Sequence, residues 1–271
     1  MRRKGFAFLS LLSVLTVLSV NAKADPVVVV SASGPLPSSI QSSVDAFRTL
    51  LGNPNNGNNA GPLASGRREI NWDGGGSATS PGGTPFTVFQ VTRGALITTS
   101  GTGFVQAPPS GLATTFNNAT YSNFQTFSPL RLFAVVGSNV LDVTFSVPGS
   151  PDVPARTSGF GAVFADVDLA NTTSLEFFDG DGNSLGTFFS PTADNGLSFI
   201  GASFGTAIVS RVRITLGNSA LGPNDGNGVD VVPMDDFVFS EPQAVPEPMT
   251  LVLLATGMLG LGAKVRIKKK S

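Results

Sequence analysis

Apolar side chains at Ile40, Val44, Phe47 and Leu51 recur at helical spacing, with serines ahead of them and Gly52 behind. The pattern predicts one short helix within residues 36–52, preceded by an apolar run at 27–30. Residues 53–66 are rich in Asn, Gly and Pro and read as a loop. From Arg67 onward the period changes. Segments 86–91, 130–136, 141–147, 160–168, 174–178, 185–189, 197–204, 208–216 and 229–239 read as strands, separated by Gly, Pro, Asn and Asp turns. Many short strands at such intervals predict an all-β fold, a jelly-roll-like antiparallel β-sandwich over residues 67–242. Residues 25–66 then form a leader with one helix and a loop. No internal repeat is evident, which argues against a propeller or solenoid. With 21 Phe against one Trp and one Tyr, phenylalanine is the expected large core residue.

The two ends follow different rules. Arg2, Arg3 and Lys4 precede an apolar run from 6 to 20, and Ala22-Lys23-Ala24 supplies a small-x-small cleavage pattern. Residues 1–24 therefore read as a secretory signal peptide, which hands the chain to the Sec translocon and signal peptidase. At the other end, Val245-Pro246-Glu247-Pro248 is followed by an apolar stretch, 249–263, and then by Lys264-Val265-Arg266-Ile267-Lys268-Lys269-Lys270. The prolines fix φ and keep the preceding residues extended, so a helix begins after Pro248. About fifteen apolar residues span only about 22 Å as a helix, short for a hydrocarbon core of about 30 Å unless the flanking cations snorkel. A marginal transmembrane helix suits a temporary hold, and the basic cluster keeps the extreme C-terminus cytoplasmic.

The order of triplet, apolar stretch with glycines and basic tail over residues 245–271 resembles the PEP-CTERM sorting signal. Val265 and Ile267 interrupt the basic run and the tail is Lys-led, but the positive charge is kept. The resemblance implies processing by an exosortase at the triplet, in a Gram-negative bacterium that makes exopolysaccharide. Transient anchoring in the inner membrane and a final place at the cell surface or in the extracellular matrix follow. Stretches at 67–74, 158–168, 175–186 and 234–237 are similar to jelly-roll modules of exported proteins in that group and, more loosely, to carbohydrate-binding modules.

Charge sharpens this division. Every Lys lies at one of the two ends, while residues 25–245 carry eight Arg against seventeen Asp and Glu, a net charge of −9. An acidic body repels nucleic acid and anionic lipid, and a divalent cation is its natural counter-charge. The chain has no Cys and no His, which excludes disulfides, Cys/His zinc sites, a Cys nucleophile and a His general base.

Strand alternation places Phe160, Ala162, Phe164, Asp166 and Asp168 on one face, with Asp235 on the face of Phe237 and Phe239. Asp166, Asp168 and Asp235 are candidate ligands for Ca²⁺ at one rim of the sandwich, with oxygens from Asn224-Asp225-Gly226 in support. The competing reading is that each Asp caps a turn or pairs with Arg156, Arg211 or Arg213. Asp179-Gly180-Asp181-Gly182-Asn183 departs from a calcium loop at its sixth and twelfth positions, Ser184 and Ser190, and reads as a hairpin turn. Trp72 and Tyr121 are too few for a sugar-stacking platform, and Trp72 reads as an anchor. The favoured function is a non-enzymatic surface or matrix protein associated with exopolysaccharide. A calcium-dependent carbohydrate-binding module and a polysaccharide hydrolase or lyase are the alternatives, the last without a motif that pairs two carboxylates.

Overall fold

The computed structural model describes residues 26–245. Two mostly antiparallel sheets pack face to face as a sandwich. The first, labelled in chain order, runs β1 (Val28–Gly34), β12 (Ala193–Ser203), β9 (Gly159–Val167), β14 (Met234–Ser240), β6 (Leu132–Val136), β5 (Gly103–Ala107) and β3 (Ser80–Gly82), with β2 (Arg67–Ile70) also paired to β14. The second runs β11 (Ser184–Phe189), β10 (Ser174–Phe178), β13 (Arg211–Thr215), β7 (Val140–Val147), β8 (Ser150–Arg156) and β15 (Gln243–Ala244), with β4 (Ala95–Thr99) beside β7. Helix α1 (Pro37–Leu51) begins with a proline at its first position and buries Ile40, Val44, Phe47 and Leu51, as the spacing predicts. Residues 28–51 join the sandwich: β1 pairs with β12 along its whole length, and α1 covers the outer face of the first sheet.

The first sheet is consequently buried on both faces. Its inner face meets the second sheet through Phe104, Phe133, Phe160, Phe164, Phe237 and Phe239. Its outer face, carrying Val163, Ala165, Leu197 and Phe199, packs under α1 and α3 (Pro109–Phe116). Every residue of β9 is buried for this reason. Fully burying one such Phe contributes about 1.5–3 kcal/mol. Close approach of α1 depends on glycine. Gly161 and Gly201 face each other across β9 and β12, and a Cβ at either would lie 2.8 or 2.6 Å from the Phe47 ring.

The expected strand over 86–91 does not form. Phe86 makes a single bridge to Ile97, and the chain then turns into α2 (Gln90–Arg93), which ends at Gly94 with φ 74°. Phe86 and Phe89, three residues apart, both turn onto Trp72, while Val88 and Val91 are exposed. That is a turn-and-helix spacing, and burial of the two rings decides it. Helix α3 is a second addition, since α1 is the one helix the sequence predicts within residues 26–245. Leu112 and Phe116 bury one face, and Asn117 closes the helix in the left-handed region. Among the described residues no helix is long and apolar enough to cross a membrane. The expected signal peptide with Ala22 and Ala24, the helix over 249–263, and Pro246, Glu247 and Pro248 all lie outside the described residues.

Candidate metal centre and a buried carboxyl pair

Alternation along β9 holds through Phe164 and Ala165 and then breaks. Asp166 is left-handed (φ 63°), and Val167 returns to the inter-sheet core. Opposite it, the β12 register slips between Ala193 and Leu197, with Asn195 at φ 51°. The two irregularities belong together: the Asn195 N–H donates to Asp166 Oδ1 at 2.6 Å. They bring one carboxylate oxygen each of Asp166, Asp168 and Asp194 within 4.8 Å of one another. Asp166 and Asp168 therefore lie together at a rim, opposite the irregular stretch of β12, where simple alternation no longer sets their face. Asp194 completes the group.

This rim is rich in negative charge. Burial, and then the nearby charges of Asp166, Asp194, Asp230 and Asp225, push the Asp168 carboxyl up to about 7. Burial foremost, with Asp225 and Asp194, raises Asp166. Asp230 is fully buried but satisfied, accepting from the Asp168 N–H at 3.2 Å and from the Thr172 hydroxyl. Asp225, in the 224–226 segment, accepts from Thr120 Oγ1 at 3.2 Å. Asp168 Oδ1 is buried with no hydrogen-bond partner. Among the described residues no Arg pairs with these carboxylates. Arg211 and Arg213 both hold Asp142, at 2.9 and 3.0 Å, and the Arg156 guanidinium lies against Gly180. Oxygens within 4.8 Å of one another can reach one Ca²⁺ ion, whose ligand distances are about 2.3–2.6 Å. The donor set, hard carboxylate oxygen throughout, fits that ion.

Asp235 does not join this group. The β14 register slips between Met234 and Phe237, so Met234 and Phe237 share the inter-sheet core and Asp235 and Asp236 occupy the bulge. The simple alternation that put Asp235 on the face of Phe237 fails at that extra residue. Asp235 Oδ2 accepts from the Phe127 N–H at 2.6 Å. The Ser128 hydroxyl lies 2.7 Å from Asp236 Oδ1, 3.0 Å from Asp73 Oδ2 and 3.2 Å from Asp235 Oδ1. Asp73 also takes the Arg131 N–H at 2.9 Å. Arg48 supplies the positive charge, 3.6 Å from Asp236 and 2.8 Å from Glu69. Burial, and next the Asp236 charge, raise Asp235 well above the usual carboxylate range. Contact between the two carboxyls raises Asp235 and lowers Asp236, so Asp235 is the member of the pair that favours the protonated form. With Asp235 fully buried and Asp236 4% exposed, the pair is a structural tie that no substrate reaches.

Trp72 is the anchor expected of it. It is 1% exposed, stacks on Phe133 at 3.9 Å and donates its indole N–H to the Asp235 carbonyl at 2.7 Å. Tyr121 is also buried, its hydroxyl donating to Gly222 O at 2.8 Å. Neither ring is free to stack on a sugar. The 179–183 segment is a hairpin turn between β10 and β11, with Asp179 Oδ1 accepting from the Asp181 and Asn183 N–H groups, each at 2.9 Å. Val245, the first residue of the candidate sorting motif, donates its N–H to Pro154 O at 3.1 Å. The folded body thus reaches the motif's first residue. In comparisons with protein-family models, curated proteins and solved structures, no match to this chain was found.

Proposed function

We propose that the chain is an exported, non-enzymatic surface or extracellular-matrix protein, and that it belongs with the PEP-CTERM proteins. Sec and signal peptidase deliver it, the C-terminal helix holds it in the inner membrane, and an exosortase processes it beside Pro246-Glu247-Pro248. The observation that carries this reading is the succession of triplet, apolar stretch and basic tail over 245–271. Exopolysaccharide is the partner proposed for the released body, and the jelly-roll reading of the sandwich belongs to the same proposal. From β8 to β14 every connection except the β10–β11 hairpin crosses between the two sheets, which supports it. The test is replacement of Glu247 by Ala in the producing bacterium, with the size of the chain followed in membrane and medium. The proposal expects accumulation of the uncut, membrane-held form. Release at the wild-type size and rate contradicts it.

A second reading, a calcium-dependent module that contacts polysaccharide, is favoured by one observation: Asp166, Asp168 and Asp194 converge without a cationic partner among the described residues. Asp166 and Asp168 would be bridged to Asp194 by the ion, which relieves their repulsion and ties β9 to β12. Recognition of sugar then falls to Asn and Asp oxygens and the ion, because both amphipathic rings are buried. A calcium titration followed by thermal melting tests it. No shift between calcium and EDTA counts against it.

A further inference from the structure

A β-sandwich has two open sides, and this one treats them differently. On one side the first sheet ends in β3, three residues with Pro81 at the centre. The second sheet ends there in β4, which Phe86 bridges at Ile97, and in β8, which carries Pro151, Asp152 and Pro154 and whose end is covered by β15. Short strands, prolines, charge and a covering strand are the devices that stop a sheet edge from recruiting another.

The other side has none of these. It ends in β1 and β11, each paired on one edge only among the described residues. β1 reads Val-Val-Val-Ser-Ala-Ser-Gly and β11 reads Ser-Leu-Gly-Thr-Phe-Phe, without proline or charge. No charged residue occurs from Pro26 to Val44 or from Gly182 to Ala193. Val28, Val29 and Phe189 are exposed on this side, each by 43% or more. A regular, uncharged, β-branched edge with open backbone groups is a template for another strand.

We propose that the β1 edge pairs with the β1 edge of a second copy of this chain, antiparallel, joining two first sheets into one. Charge selects that occupant. A body of net charge −9 repels its own copies over most of its surface, and the β1–β11 side is where two copies meet without opposed charges. The contact is isologous: a two-fold axis at Ser31 sets Val29 opposite Ser33 and Val30 opposite Ala32 of the other copy, so every residue of β1 finds a partner. Exposed Val28, Val29 and Phe189 lose water in the same contact. The inference is independent of how the chain is sorted.

The absence of cysteine makes the test clean. Ser31→Cys is introduced into the full chain, purified in mild detergent and oxidised. Residues on the two-fold axis lie about 4.5–5.5 Å apart between Cα atoms, within disulfide reach of about 4.4–6.8 Å. The expected result is a disulfide dimer as the main species, while Val153→Cys on the protected side stays monomeric. Unmodified chain should show concentration-dependent dimer by sedimentation, lost in Ser31→Lys with an unchanged melting temperature. Monomeric Ser31→Cys after oxidation overturns the proposal, as does equal crosslinking of both cysteine variants. Dimer that survives Ser31→Lys does so too, and assigns association to another surface.

Discussion

Arg68 and Glu241 form an ion pair that is 0% and 2% exposed, and replacing Glu241 by Gln tests how the body closes on itself. Arg68 Nε and Nη2 grip the two carboxylate oxygens at 2.6 and 2.7 Å. Arg68 Nη1 also donates to the carbonyls of Gly57 and Asn59, each at 2.7 Å. Asn56 Nδ2 and the Leu63 N–H complete the carboxylate at 2.8 and 3.2 Å. One interaction therefore holds the loop over 53–66 to the strand end that leads into β15 and Val245. Glu241→Gln keeps the shape but leaves a buried guanidinium without counter-charge, a loss of about 3–5 kcal/mol. For a body of this size that is about 6–20 °C in melting temperature. The assay is urea unfolding followed by fluorescence of Trp72, the single indole, with melting as a check. Arg68→Met with Glu241→Leu should lose less than the sum of the single changes, by about 2–3 kcal/mol. It should not be neutral, because the Gly57 and Asn59 carbonyls lose a donor. A Glu241→Gln protein within about 0.5 kcal/mol of wild type, or strict additivity in the cycle, shows that the pair does not hold the loop to the strand end.

Other expectations follow from the same geometry. Asp168→Asn removes the carboxylate most opposed by its neighbours, so it should melt no lower than wild type in EDTA and should lose any calcium-induced rise; a retained rise places the ion elsewhere. Asp235 is held above its unfolded value, so the native state keeps a proton that the unfolded chain releases. Its contribution is present at low pH and is lost as pH rises through the native value. The groups around it are Asp236, Asp73 through Ser128, and Arg48 with Glu69 beyond. Asp235→Asn should match wild type at pH below the ordinary carboxylate value and exceed it at neutral pH in urea midpoint; parallel pH profiles contradict this. Gly201→Ala drives a Cβ to 2.6 Å from the Phe47 ring and should cost about 1–3 kcal/mol by overpacking. Combining it with Phe47→Leu should recover part of that loss, and no recovery places the strain elsewhere.

Legibility in the sequence tracked regularity. Strands β10, β13 and β9 as far as Ala165 are regular stretches with hydrophobic runs or strict alternation, and they stand out beside their turns. The same is true of α1, whose Ile40, Val44, Phe47 and Leu51 stripe is the buried one. Places where the chain departs from a period are where reading fails. Phe86 and Phe89 look like strand residues but answer to Trp72. Helix α3 opens on Pro108-Pro109-Ser110-Gly111, residues with little helix propensity of their own. At the candidate site, Asp166 and Asp168 share one strand end and can be placed together. Asp194 reaches them only through an irregular stretch of β12, and Asp235 leaves them through the bulge it shares with Asp236. A bulge inserts residues without changing composition, so alternation carries no mark of it. The partner of a bulge comes from another strand, and only its pairing register shows which residue that is.

The proposed function stands or falls on release of the body from residues 249–271. Intact mass spectrometry of the chain recovered outside the producing cell measures this directly. The expected species begins near Asp25 and has lost the basic tail with Lys264, Lys268, Lys269 and Lys270. An extracellular species that still carries those lysines contradicts it.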